Sequence, residues 1–280
     1  MIEPYASKIL SQLAEVGRQV DRDIDIFETA LLIAALDHPG RLMERYNLHK
    51  DRVVEACLKL YDEKSDQNVH SQLDVLREVL VDQEEYCGDQ ENYDRLDNAD
   101  LMSVIDRRRG LPVALAVIYL SVAKALGWDV CALSFPAHVF LRIEFDGERV
   151  IFDPFDGAKE MEAHDLRDKL KELLGGYAEL SAQYYEPMTT REVLARLQNN
   201  IKTRLISGED FESALQRVDI MRLILPNDPR LLFEAGVLNA RAGQRKKAID
   251  LLYSYVDVVD SQADRDDALL LLKELENGLQ

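Results

Sequence analysis

The sequence predicts an α+β protein that is mostly helical. Three observations carry this: apolar residues recur at helical spacing along most of the chain, one short block of strand signals surrounds an Asp-Gly turn, and a 34-residue repeat lies near the end. The expected organisation is a helical N-terminal segment over 1–80, a mixed core over 81–180 and a helical segment over 181–280.

Residues 6–60 read as helices. Ile24, Phe27, Ala30, Leu31 and Ala34 fall on one helical face, Asp37-His38-Pro39-Gly40 stops that helix, and another runs through Arg52–Leu60. Leu73, Leu76, Val79 and Leu80 continue the pattern. The stretch 82–100 carries eight acids against one base, with Gly88, Asn92 and Asn98 as turn formers, and reads as a surface loop. A short helix over Leu101–Arg108 follows. From Val113 to Leu126 nearly every residue is apolar, which marks a helix buried on all sides. Pro112 suits its first position, where an N–H would lack a partner anyway, and Gly127 ends it.

Strands are expected over Val130–Phe135, Val139–Phe145 and Glu148–Asp153, with Asp146-Gly147 as a two-residue hairpin turn. That turn pairs Phe145 with Glu148 and sets Asp153 opposite Phe140. Asp153 then becomes a diagonal neighbour of His138. A carboxylate there suits fixing an imidazole tautomer, the orienter–base half of a nucleophilic triad. The polar stretch around Pro187 suggests a linker near 181–190. Beyond it, Ala214 recurs as Ala248 and Val218 as Leu252, the helix–turn–helix period of a tetratricopeptide repeat, present for about one and a half units. Gly236 and Gly243 are expected where those helices pack tightly.

The charge narrows the function. Acids outnumber bases 52 to 34, and the net charge is −18. Duplex nucleic acid and anionic membranes need clustered cations, and the one dense run here is Arg107-Arg108-Arg109. Direct action on DNA is disfavoured, and no segment is apolar and long enough to span a bilayer. The N-terminus has no signal-peptide pattern. Cys57, Cys87 and Cys131 are widely spaced and odd in number, which fits free thiols in a reducing cytoplasm. Asp21-x-Asp23-x-Asp25 opens like a calcium loop, but Ile26 and Leu32 stand where glycine and glutamate are needed, so these acids cap or flank a helix instead. His38, His49, His70 and His164 have no ligand spacing, no phosphate loop is present, and neither metal nor cofactor is expected.

Arg108-Arg109-Gly110-Leu111-Pro112, Ala123-Lys124-Ala125-Leu126-Gly127, Phe135-Pro136-Ala137-His138-Val139-Phe140-Leu141-Arg142 and Phe152-Asp153-Pro154-Phe155-Asp156-Gly157 together resemble the SirB-type transglutaminase-like family. The resemblance covers roughly 24–260 and is densest over 92–157. It implies a papain-like core followed by tetratricopeptide-like helices. It also implies a cysteine nucleophile at the head of the core helix, in a Gly-x-Cys pattern with a second glycine seventeen residues after the first. Gly110 and Gly127 have that separation, so the nucleophile position falls on Pro112. Proline offers neither a nucleophilic atom nor an N–H for an oxyanion hole. The histidine and aspartate of the pattern map to His138 and Asp153.

The leading expectation is therefore a binding or adaptor protein without acyl-transfer activity, taking a protein or peptide in a degenerate cleft near Arg109, Phe140 and Phe155. The competing expectation is a hydrolase or amidase with His138 as base and Asp153 as orienter, acting through water, Cys87 or Cys131. Strand alternation sets Cys131 on the face opposite His138, and Cys87 lies in the acidic stretch. Arg107–Arg109 is expected to pair with the acids of 82–100.

Overall fold

A computed structural model describes residues 2–277, with side chains from residue 5. The chain divides into two compact units, one spanning 20–197 and the other joining 3–19 to the residues from 198 onward. Twelve α-helices and two small sheets make up the described residues, an α+β fold dominated by helix.

The unit over 20–197 is built around an apolar helix. Helix α6 (Pro112–Leu126) has eleven of its fifteen residues buried. Pro112 opens it, and Gly127 closes it in the left-handed region (φ 72°), where glycine carries no Cβ penalty. Helices α2 (Ile26–Asp37) and α3 (Met43–Asp62) pack on α6, so residues expected to form a separate N-terminal segment belong to the same core. Two of the three acids near residue 21 serve helix ends: the Asp25 carboxylate accepts from Glu28 N–H at 3.0 Å, and Asp21 accepts from Thr190 and Arg191 N–H at 2.8 and 3.0 Å.

The main sheet runs in the order β3 (Asp129–Ala132), β4 (Leu141–Phe145), β5 (Glu148–Asp153), β6 (Lys159–Glu160), all antiparallel. Phe145 pairs with Glu148 and Leu141 with Phe152, the register set by the Asp146-Gly147 turn. Strand β4 starts later than expected, at Leu141. On one face Phe152 meets Tyr119 of α6, ring centroids 5.6 Å apart. On the other face, Leu133, Phe135 and Phe140 form a cluster with Leu166 and Leu170 of helix α7 (Ala163–Leu174).

Two stretches differ from expectation. The stretch 82–100 is not a free surface loop. A short α4 (Val69–Arg77) runs on through a π-helical turn over Glu78–Gln83, and β1 (Cys87–Gly88) pairs in parallel with β2 (Arg109–Gly110). Tyr86, Gly88, Asp89 and 98–100 are buried, while 82, 83, 85 and 90–96 are exposed. The reason is local pairing of its polar groups. Asn98 donates to Asn92 O at 2.7 Å and accepts from Arg107 at 2.5 Å, Arg107 meets Asp89 at 3.3 Å, and Arg108 meets Glu84 at 2.7 Å. Burial works to raise the Asp89 carboxyl, but the Asn92 N–H and the Arg107 and Asn98 side chains outweigh it and hold it below the usual carboxylate range. The polar stretch at 181–190 is likewise no linker. Its backbone hydrogen-bonds beside β3, with Ser134 N–H to Glu186 O at 2.9 Å and Met188 N–H to Ala132 O at 2.7 Å.

The other unit holds α1 (Ile2–Arg18), the end of α8 (Thr190–Ser207), and α9 (Phe211–Ile224), α10 (Arg230–Arg241), α11 (Arg245–Val258) and α12 (Gln262–Asn277). Successive helices from α9 to α12 pack pairwise, giving two helix pairs where one and a half were expected. Ala214, Val218, Ala248 and Leu252 are all fully buried, at the places the 34-residue period assigns them. Gly236 lets α10 approach α11: a Cβ there would lie 2.8 Å from Leu252 Cγ. Gly243 has open space around it and instead supplies a turn with φ 75°.

Candidate functional site

His138 is placed by a turn rather than by a strand. After Phe135 the chain bends at Pro136, and Ala137 takes a left-handed conformation (φ 57°) that non-glycine residues rarely adopt. The turn drops the imidazole onto the ring of Phe140, centroids 4.6 Å apart, and Arg196 of α8 donates to the His138 carbonyl at 2.6 Å. Burial lowers the Arg196 guanidinium from its ordinary value while the Tyr93 phenol opposes that shift.

Asp153 ends β5. His138 Nε2 lies 2.9 Å from each of its carboxylate oxygens, and Phe155 N–H donates to Oδ1 at 2.9 Å. Both residues are only 5% exposed. The carboxylate accepts from Nε2–H, which leaves Nδ1 as the basic nitrogen. Nδ1 makes no hydrogen bond among the described residues, and His138 borders a cleft of about 630 Å³.

One side of the cleft is Phe155, whose ring stands edge-on to both His138 (6.1 Å) and Tyr93 (5.8 Å). Phe155 lies so close to Gly88 that a Cβ there would sit 2.5 Å from the ring, and Gly88 N–H donates to Phe155 O at 3.0 Å. The other side is α7, presenting Asp165, Asp168, Lys169 and Glu172, with Met161 and Leu173 as apolar floor. The sequence reading expected helix beyond Pro154 but missed that α7, like Tyr93 and Arg196, belongs to this site. The polar stripe on α7 was the available signal; nothing local marks Tyr93 or Arg196.

The remaining expected residues fall elsewhere. Arg109 points away, donating to Glu85 O at 3.0 Å, and does not line the cleft. Phe140 is fully buried, so it supports His138 from below without touching a ligand. Pro112 is buried at the head of α6, outside the cleft lining. Cys131 shares its sheet face with Ile151 and Asp153, not the opposite face, because His138 lies off the strand whose parity was counted. It stands two strands from Ile151, about 10 Å, and packs against the Leu133 cluster, where burial raises its thiol above the ordinary value. Cys87 is half-buried on β1 and does not line the cleft. No serine, threonine or cysteine lines it among the described residues. No group of three His, Cys, Asp or Glu side chains is placed to hold a metal ion among those residues, and no helix is long and apolar enough to cross a membrane.

Comparison with known proteins finds relatives along most of the chain. A "UPF0162 protein" of Xylella fastidiosa strain Temecula1 is 28% identical over 280 residues, covering 99% of this chain and 98% of that protein. A "UPF0162 protein" of Vibrio cholerae is 26% identical over 264 residues, 92% of this chain and 95% of the relative. "Protein SirB1" of Salmonella typhimurium is 28% identical over 158 residues, 56% of this chain and 58% of its own length. No solved structure matches the chain. The profile described as "Tetratricopeptide repeat" matches residues 201–274. The profile described as "Transglutaminase-like superfamily" matches residues 44–199, more than half of the 280, and the chain belongs to that superfamily.

Proposed function

We propose that this protein holds a polypeptide segment in the His138 cleft and performs no acyl transfer there, acting as a binding or adaptor module. The observation that carries the reading is the chemistry around Nδ1 of His138. His138 and Asp153 are paired as a base and its orienter would be, yet the cleft offers no thiol or aliphatic hydroxyl, and the position to which the resemblance assigns a nucleophile is Pro112. The aromatic sides and the mixed charges of α7 suit an extended chain with polar side groups. The tetratricopeptide segment supports an interaction role in the same direction.

The test pairs two assays on the full chain. Incorporation of a fluorescent alkylamine into a glutamine peptide, and hydrolysis of a peptide amide panel, should stay at the level of a His138→Ala variant. A photo-crosslinking residue at Gln90, on the cleft rim, should capture members of a defined peptide library, and Tyr93→Ala should reduce capture severalfold. Turnover that disappears in His138→Ala would overturn the proposal.

One observation favours a second reading. His138 borders the cleft, Asp153 holds its Nε2 and its Nδ1 lone pair is uncommitted, which is the arrangement of a general base for water. Turnover dependent on His138 and Asp153 but indifferent to thiol alkylation would select it.

A further inference from the structure

A second cavity, of about 460 Å³, lies where the C-terminal end of α6 meets the β4–β5 hairpin turn, and it shares no lining residue with the His138 cleft. Its walls are aromatic: Trp128 and Tyr61 form an edge-on pair with centroids 4.9 Å apart, and Phe145 stands beside them. An edge-on pair leaves ring faces that the partner does not cover. Its charges are of one sign. Asp129, Glu144 and Asp146 line it, with no lysine, arginine or histidine. Arg142 and Arg149 already hold Glu144, at 2.7 and 2.8 Å, but the Asp129 and Asp146 carboxylates make no hydrogen bond or ion pair among the described residues. Gln67 and Gln72 complete the lining.

We propose that this cavity is a binding site for an organic cation, a guanidinium or alkylammonium group. Three features converge on that chemistry. Tryptophan is the aromatic ring that best attracts a cation over its face. Two free carboxylates supply charge, and the end of α6 adds the partial negative charge of a helix C-terminus. A bare metal ion would meet too few convergent oxygens, because Glu144 is engaged by two arginines and no three His, Cys, Asp or Glu side chains are placed to hold a metal ion among the described residues. The group could arrive as a free amine or as an arginine or lysine side chain; the recognising chemistry is shared.

Trp128 is the sole tryptophan, so its emission reads this site directly. The full chain is titrated with agmatine, with N-acetyl-arginine methylamide, and with uncharged n-butylurea. A saturable change with a charged probe and none with butylurea is the expected result. Asp129→Asn with Asp146→Asn should weaken binding at least tenfold. Asparagine tolerates the left-handed turn at 146 (φ 50°), so the hairpin is kept, and an unchanged urea midpoint checks this. Binding of both charged probes assigns the group to a protein side chain; binding of agmatine alone assigns it to a free cation. The proposal is overturned if no charged probe gives saturation, if butylurea gives an equal signal, or if the double variant binds as wild type. Asp146→Asn alone should show a smaller loss in the same direction.

Discussion

Acidification should destabilise the unit over 20–197 through His49, a buried residue of α3. Its Nδ1 accepts from Arg52 at 3.2 Å, so the neutral ring carries its proton on Nε2 and donates to Tyr86 Oη at 2.8 Å. Burial, then the Arg108 guanidinium, push the imidazole from 6.5 down to about 4; Glu84 opposes this weakly at 3.9 Å, and Arg52 adds to it. Above pH 6.5 the ring is neutral in both the folded and unfolded chains. Below that the unfolded chain gains a proton that the folded chain refuses until about pH 4. Stability present above pH 6.5 is therefore lost as pH falls towards 4. At 1.36 kcal/mol per unit the loss is about 3 kcal/mol. Carboxylates titrate over the same range, so the measurement is a difference. Urea midpoints of wild type and His49→Gln are followed by Trp128 emission, which reports on the same unit, from pH 7.5 to 4. Glutamine keeps a donor for Tyr86 and does not titrate. The stability advantage of wild type over the variant should shrink by about 3 kcal/mol across that range. An advantage constant to within about 0.5 kcal/mol would show that His49 protonates as readily folded as unfolded, and the reasoning from burial and Arg108 would be refuted.

Two further outcomes follow from named contacts. Asp153→Ala removes the acceptor for two donors, the buried His138 Nε2–H and the half-buried Phe155 N–H, and should cost about 2–5 kcal/mol in urea unfolding read by Trp128; Asp153→Asn, which keeps an acceptor, should cost less than half of that. Gly236→Ala places a methyl group 2.8 Å from Leu252 Cγ inside the tetratricopeptide helices. The clash should outweigh the roughly 1 kcal/mol gained in helix propensity, lowering the thermal midpoint seen by far-ultraviolet circular dichroism; a raised midpoint would show that α10 and α11 separate freely.

The aromatic wedge at Phe155 gives the cleft its shape. Gly88 and Phe155 are 67 residues apart in the chain, yet glycine at 88 is what allows the ring to lie against the backbone. Residues 86–89 read as polar loop because their hydrogen bonds run to Arg107 and Asn98 and to the backbone of Arg108 and Gly110, partners that no periodicity reveals. The acidic stretch thus took part in the core despite its composition. Arg109 and Phe140 were drawn into the expected site by nearness in sequence, whereas their side chains leave it for the Glu85 carbonyl and the Leu133 cluster.

The sequence by itself determined the elements whose causes are local. The apolar run from Val113 made α6, Pro112 and Gly127 bounded it, and the Asp146-Gly147 turn set a register in which Leu141 meets Phe152 and the chain reaches Asp153 beside His138. The 34-residue period placed Ala214 and Ala248 in the core of the helical tail. Only the tertiary structure decided which surfaces face the imidazole. The cleft is closed by α7, the carbonyl of His138 is held by Arg196 from 58 residues away, and Cys131 lies on the same sheet face but two strands off. Hydrophobic periodicity reports which face of an element is buried, and turn chemistry reports where the chain reverses. Neither carries information about which polar side chains from distant elements meet, because such pairings depend on how the elements pack and leave no period in the chain.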